Sequence, residues 1–455
     1  MQEDSRQTAS ATTAVGPLAP DHRIALLDIL RGVAVLGILM MNIEDFAGPE
    51  SATFHDIPVG LSHPAFVAWH APLDYIIFAV KWTFFEGKMR ALFAMLFGAS
   101  TVLLLDRVGM RHGEARAADI FHRRNMWLVA IGLAHGLFIW SGDILTQYAV
   151  FALLLYPLRN VAPRRLLVAG MAVWLVGGSI GSWHFLDISG AVKKEQLLVG
   201  AREAMAHRSV INSAQKTAVE AADLAASQSS AQMATALADG RLGPAASLAR
   251  TREGFLGFFG AVVTSGLALE VVGAMITGMG LFGIGFLTGR LRTRTYVLVA
   301  AGGYAVSLPL AITGIWYSAI NGFSVTSVLE SMFYPYTFLQ FSAAIANASL
   351  VILLARSGWL PQVGRTLASV GKMALTNYLV TSVLCRFVFS WGPWKLYGEL
   401  EYFQYLYVVG VVWSLNLLGS RFWLHFFLFG PIEWIWRSLT YWKFQPLLTT
   451  RQRTA

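Results

Sequence analysis

Phe84-Phe85-Glu86-Gly87-Lys88-Met89-Arg90-Ala91-Leu92-Phe93-Ala94-Met95-Leu96-Phe97-Gly98 decides how this chain is read. Glu86, Lys88 and Arg90 fall within five residues, between the apolar run Tyr75–Phe85, broken by Lys81, and the apolar run Ala91–Leu105. A charged side chain at the centre of a bilayer costs about 2.5–3.5 kcal/mol on insertion scales. Such a cluster either marks a membrane boundary and fixes orientation, or is paired for a purpose. If Glu86 opens the helix that follows, Arg90 lies four residues on, in the order that favours an ion pair.

Outward from this stretch, apolar runs of about 20 residues recur along almost the whole chain of 455 residues. The chain is 55% hydrophobic and 13% charged, with a mean hydropathy of +0.54. This reads as an all-α, polytopic helical membrane protein with about ten to eleven transmembrane helices and a lipid bilayer as its first partner. A lone Cys385 excludes a disulfide framework and any multi-thiolate metal site, and no metal is expected. The net charge of +9 is read as topological rather than as a sign of nucleic acid, because the basic residues sit at span ends without forming a stripe. Residues 278–283 spell Gly-x-Gly-x-x-Gly inside an apolar span with no strand before it, so they read as small residues permitting close helix packing. Metalloprotease, P-loop and serine-hydrolase signatures are absent.

Residues 1–22 are polar and read as a disordered cytoplasmic tail without a cleaved signal. An amino-terminal transmembrane bundle covers 23–187, a helical extracytoplasmic insert 188–254, a carboxy-terminal bundle 255–445 and a tail 446–455. Within the first bundle, spans are expected at Ile24–Ile43, Met89–Leu105, Asn125–Trp140, Ile144–Leu158 and Leu166–Trp183. Residues 72–85 either lie at the interface or begin a long helix broken at Gly87. Leu269–Leu287 and segments 295–317, 331–355, 366–390 and 403–419 supply the second bundle. Pro431 breaks the terminal aromatic piece, which is an eleventh span or an interfacial helix. Arginines at 107–124 and at 159–165 mark one side as cytoplasmic. Counting back places the amino terminus in the cytoplasm, and Glu86, Lys88 and Arg90 on the outer side, where orientation does not require them.

The polar residues inside the spans repeat a layout. Arg31 and Asn42 are eleven residues apart, about three helical turns and so on one face, roughly 16 Å apart along the axis. Arg124 and His135 have the same separation. Asp28 can neutralise Arg31 three residues on. Singly, each has a plain structural reading: Asn as helix glue, His as a satisfied core residue, Asp143 as a helix cap. Jointly, Asn42, Glu86, Lys88, Arg90, His135 and Asp143 share the outer half. On a straight helix His135 lies about 12 Å from Asp143. Its carboxylate partner is therefore Glu86 from another helix, or Asp143 on a chain that bends back.

Leu27-Asp28-x-x-Arg31-Gly32-x-Ala34 with Asn42, Phe85-Glu86-Gly87-Lys88-x-Arg90 with Leu96-Phe97-Gly98, and Arg123-Arg124 with Gly132 and His135 resemble the YeiB-like family of bacterial membrane proteins. So do Gly142-Asp143-Ile144-Leu145-x-x-Tyr148, Gly371-x-Met373-Ala374-Leu375-Thr376-Asn377-Tyr378 and Gly430-Pro431-x-Glu433-x-x-Trp436-Arg437. The first spans are also similar to those of the lysosomal heparan-glucosaminide N-acetyltransferase, of a transmembrane acyltransferase superfamily. That enzyme passes an acetyl group from cytosolic acetyl-CoA to a sugar across the membrane. Its catalytic histidine lies in the loop after the first span, where this chain has His55, His63 and His70 without a clean match.

The resemblance implies a bacterial inner-membrane acyltransferase moving an acyl group from cytosolic acyl-CoA to an extracytoplasmic glycan or lipid-linked acceptor. Arg31, Arg123, Arg124 and Lys372 would hold the donor's phosphates. His135, Asn42, Glu86 and Asp143 would carry the chemistry, and Lys88, Arg90, Tyr148 and Asn377 would contact substrate. A transporter for an anionic or lipidic solute and a non-catalytic membrane subunit are the alternatives, and a homodimer fits either use.

Overall fold

The computed structural model describes residues 25–49, 69–180, 188–265 and 267–448. The expected tail 1–22 and the loop residues His55 and His63 lie outside the described residues, as does 449–455 of the expected terminal tail. Among the described residues the chain is helical throughout, with one isolated bridge, Phe427 to Leu448, and no strand.

The opening stretch shows how local chemistry shapes the fold. Helix α1 (Ala25–Ala47) precedes α2 (Ala71–Val80), which runs into a π-helical turn, Lys81–Phe85. Gly87 then takes φ 69°, a left-handed conformation that glycine adopts without a Cβ penalty, and α3 (Lys88–His112) begins beyond it. Ala71–His112 is thus one apolar helical stretch with a break, the second of the two readings open for residues 72–85. Glu86 sits before α3 rather than inside it, so the expected Glu86–Arg90 pair along one helix does not form.

The chain continues through α4 (Glu114–Phe138), α5 (Leu145–Ala152) with a 3-10 turn to Leu158, and α6 (Pro163–Ala172). Residues 188–265 form α7 (Ile188–Ala206), α8 (Ser213–Gly240) and α9 (Pro244–Ser265). The start of α8 carries a capping box between Asn212 and Gln215. Its far end is tied down by Arg241, which donates to Tyr397 O at 2.9 Å and pairs with Glu399. Then follow α10 (Leu267–Gly283), α11 (Thr293–Ile320), α12 (Tyr336–Ser357), α13 (Pro361–Lys372), α14 (Ala374–Arg386), α15 (Tyr405–Phe426) and α16 (Pro431–Tyr441).

Five helical stretches among the described residues are long and apolar enough to cross a bilayer, and two bent pairs, α9–α10 and α13–α14, bring the number to seven. Other expected spans fold differently. Helix α4 carries Glu114, Arg116, Asp119, Arg123 and Arg124 in its first half, and α5 has only 8 residues of regular helix. Helix α13 turns by 82° into α14.

At the centre α3 packs against α1, α10 and α12, burying Leu30, Leu92, Met95, Met275 and Ala344. Backbones approach closely where glycines face each other's helix. A Cβ on Gly98 would lie 2.0 Å from Met275 O, and one on Gly278 2.0 Å from Met95 O. Gly280 and Gly283 likewise face Leu167 and Pro163 of α6, so the Gly-x-Gly-x-x-Gly run is a packing surface. Helices α11 and α15 leave most of their apolar surface outward, the arrangement a hydrocarbon surround stabilises.

Candidate active site

The carboxy-terminal end of α4 is where the fold creates chemistry that spacing alone did not place. After Phe138 the chain turns over its own helix end, with Ile139 N and Trp140 N donating to His135 O at 2.8 and 3.0 Å. Arg386 of α14 donates to Ile139 O at 3.0 Å and holds the turn. Asp143 therefore returns to His135, and its Oδ1 lies 2.8 Å from His135 Nδ1. Of the two partners open for His135, the structure brings up Asp143 and not Glu86.

Asp143 is 0% exposed and its two oxygens accept four hydrogen bonds. Oδ1 takes His135 and the Tyr378 hydroxyl at 3.1 Å, and Oδ2 takes Thr146 N at 2.8 Å and Thr146 Oγ1 at 2.7 Å. A carboxylate here accepts, so His135 donates from Nδ1 and its Nε2 keeps the lone pair. Nε2 is buried and has no hydrogen-bond partner among the described residues. The His135 ring packs on Tyr378 at 5.0 Å and Trp140 at 6.2 Å between centroids. Both rings line a small cleft that Asn42 also lines, together with Val35, Ile38, Leu39 and Phe46. Asn42 forms no hydrogen bond among the described residues and so offers a free amide there.

Two contributors escaped the sequence reading. Thr146 stands three residues after Asp143, the spacing of a side-chain cap, and that signal could have found it. Tyr378 comes from a helix 235 residues away. No local pattern announces it.

The charges of the opening stretch build a second network. Arg90 pairs with Glu270 of α10 at 3.0 Å, and Gln340 of α12 donates to the same carboxylate oxygen at 2.7 Å. Trp174 Nε1 donates to Gln340 Oε1 at 3.0 Å. Lys88 is 0% exposed; its Nζ donates to Trp82 O at 2.5 Å and lies over the Trp82 and Tyr336 rings at 5.3 and 5.7 Å. Among the described residues no carboxylate comes within 4.0 Å of it, and Glu86 accepts no hydrogen bond. The Tyr148 hydroxyl donates to Arg90 O at 2.8 Å, so α5 touches both networks, through Thr146 and through Tyr148.

Tyr148 and Asn377 were expected to contact substrate, and the structure occupies both elsewhere. Tyr148 is fully buried between Phe93 and Phe97. Asn377 donates to Val370 O at 3.1 Å and exchanges bonds with Ser420 at 2.8 and 3.2 Å, gluing α14 to α15. Glu433 explains the neighbouring helix break: it accepts from Leu375 N at 2.7 Å, Thr376 N at 3.1 Å and Thr376 Oγ1 at 2.5 Å, satisfying the amides freed where α14 restarts.

Of the expected phosphate-holding cations, Arg31 bonds Asp28 at 2.8 Å and Ser100 at 3.0 Å. Arg123 is drawn away to Asp119 at 2.7 Å. The Arg124 guanidinium lies 4.6 Å above the Trp436 ring. Lys372 ends α13, one residue past Gly371, whose Cβ would lie 1.8 Å from Asp28 O. The remaining loop histidine, His70, bonds Asp74 at 2.5 Å and lies 3.7 Å from Glu401.

The family described as Protein of unknown function (DUF418) matches residues 281–443. A protein of Escherichia coli strain K12, named Uncharacterized protein YeiB, is 29% identical over 435 residues, covering 92% of this chain and 96% of that protein. Uncharacterized protein YxaH of Bacillus subtilis strain 168 is 25% identical over 438 residues, covering 96% of this chain and 98% of its own. No solved structure matches the chain. With the match over residues 281–443 and a likeness to these relatives that runs almost end to end, the chain is similar to the YeiB-like proteins.

Proposed function

We propose that this protein is a membrane acyltransferase that takes an acyl group from cytosolic acyl-CoA and passes it to a glycan or lipid-linked acceptor on the outer side of the bacterial inner membrane. One observation carries the reading. His135 is held by Asp143 in the tautomer whose Nε2 is a free base, beside a cleft lined by Asn42. In the reaction, Nε2 takes the proton of an acceptor O–H or N–H while the acceptor oxygen or nitrogen attacks the thioester carbonyl carbon. The C–S bond breaks, and the leaving thiolate of CoA takes the proton back from the imidazolium. The Asn42 amide donates to the carbonyl oxygen as charge grows on it, a contribution of about 3–4 kcal/mol for a well-placed donor. Asp143 keeps the ring oriented and offsets the imidazolium charge. The lysosomal acetyltransferase likeness of the first spans supports the donor and the direction of transfer.

A second reading, a solute permease, is favoured by the 82° break between α13 and α14, since transporters build sites at discontinuous helices. Proteoliposomes holding purified protein and labelled acetyl-CoA decide between them. Acyl transfer that is lost in His135→Ala supports the enzyme. Transfer undiminished in that variant, or an absence of transfer with gradient-driven solute uptake, refutes it.

A further inference from the structure

We propose that the acceptor group is a hydroxyl rather than an amine, and that Trp140 selects it by donating its indole N–H to the oxygen whose proton His135 removes. The inference narrows the acyltransferase reading and rests on it. It starts from two orphaned atoms. His135 Nε2 and Trp140 Nε1 both belong to residues that are 2% exposed, and neither has a hydrogen-bond partner among the described residues. An indole nitrogen only donates, and the bond to Asp143 leaves Nε2 as an acceptor. Buried polar atoms are ordinarily paired, so this donor and this acceptor stand ready for a ligand.

The two residues share one turn. Trp140 N donates to His135 O at 3.0 Å, and the ring centroids are 6.2 Å apart. The indole is held in place: Phe46 packs 4.6 Å from it, and a Cβ on Gly142 would lie 2.4 Å from its Cζ2. Trp82 and Trp391 also leave Nε1 unpaired, but neither borders the cleft, and Trp413 donates to Leu36 O at 3.0 Å. Other polar groups around the cleft are engaged. The Tyr378 hydroxyl bonds Asp143, Ser382 donates to Tyr378 O, and Thr381 accepts from Asn416. Trp140 and Asn42 are left to meet a ligand there.

A donor and an acceptor side by side match a group that accepts and donates through a single atom. Two nitrogens bonded to one oxygen lie roughly 4.5–5.5 Å apart, a span that fits between these rings. A hydroxyl oxygen has two lone pairs. One receives the Trp140 N–H, while the other attacks the thioester carbonyl carbon as the O–H proton passes to Nε2. The C–S bond breaks, and the CoA thiolate takes that proton from the imidazolium. A neutral amine nitrogen has one lone pair, so accepting from Trp140 consumes the pair that must attack. The product is therefore an ester.

The test uses bacterial membrane vesicles containing the full-length protein, permeabilised and given radiolabelled acetyl-CoA. Label whose transfer is lost in His135→Ala is treated with mild alkali, which cleaves esters and spares amides. Alkali-labile label is the expected result. Trp140→Phe should slow its formation about tenfold with the donor KM unchanged, and Trp391→Phe should leave the rate as in wild type. Alkali-stable label overturns the hydroxyl assignment and leaves the acyltransferase standing. Trp140→Phe transferring at the wild-type rate overturns the role of the indole. Should that variant fail to fold, the chemistry of the wild-type product still decides between ester and amide. Absence of any His135-dependent label overturns the acyltransferase, and this inference with it.

Discussion

His135 and Asp143 stand eight residues apart in the chain and 2.8 Å apart in space, because the four residues after α4 turn back over the end of that helix. The carboxylate is saturated with donors, so it has no freedom to rotate away from the imidazole. That rigidity sets the tautomer and leaves Nε2 as the one nitrogen able to accept a proton.

Asp143→Asn reverses this arrangement. An amide facing Nδ1 allows the proton to sit on Nε2, and the base is lost while the shape of the site is kept. Transfer should fall about 10²–10⁴-fold, with an unchanged elution profile. A variant within threefold of wild type would remove His135–Asp143 from the mechanism.

Tyr378→Phe deletes one of the four donors to Asp143 and the acceptor of Ile144 N at 3.2 Å. Tyr378 is a positioning residue, so the expected cost is about 1 kcal/mol in stability per lost bond and a loss of rate without a change in donor KM. A rise in KM with kcat intact would instead place this hydroxyl on the substrate.

Arg90 and Glu270 couple α3 to α10 inside the apolar bundle. Removing either partner strands a charge, and Glu270→Leu should destabilise by about 2–4 kcal/mol, the range discounted because Arg90 retains 31% of its side-chain exposure. The double variant R90M/E270L should recover most of that loss. Denaturant unfolding in micelles of wild type, Arg90→Met, Glu270→Leu and the double variant measures the coupling, and strictly additive losses would show that the pair does not act as a unit.

Helix packing can be tested with a single methyl group. Gly98→Ala places its Cβ 2.0 Å from Met275 O, and Gly371→Ala 1.8 Å from Asp28 O, both backbone atoms that cannot step aside. Each should destabilise by several kcal/mol or abolish folded yield. Gly302→Ala, on α11 with nothing within 4 Å, should instead be neutral or stabilise by up to about 1 kcal/mol. Equal melting temperatures for all three would contradict the close crossings.

Much of this was legible beforehand. Asp28–Arg31 pairs as its spacing requires, the glycine run packs helices, and the chain breaks at Gly87. These are local or compositional facts. The pairing of Glu86 with Arg90 failed for an equally local reason: Gly87 takes a positive φ, and Glu86 never enters the helix on which the spacing was counted. Arg123 and Arg124 adjoin in sequence but point to different partners, since successive helical positions are about 100° apart.

By itself, the sequence determined that this is a multi-helix membrane protein, because hydropathy is a property of consecutive residues. Tertiary structure alone decided which carboxylate serves His135, which helix answers Arg90, and that Tyr378 reaches Asp143 from a distant segment. The physical reason is that a buried polar group must find a partner, and the partner is chosen by how helices cross and turns bend, which no single stretch of chain encodes.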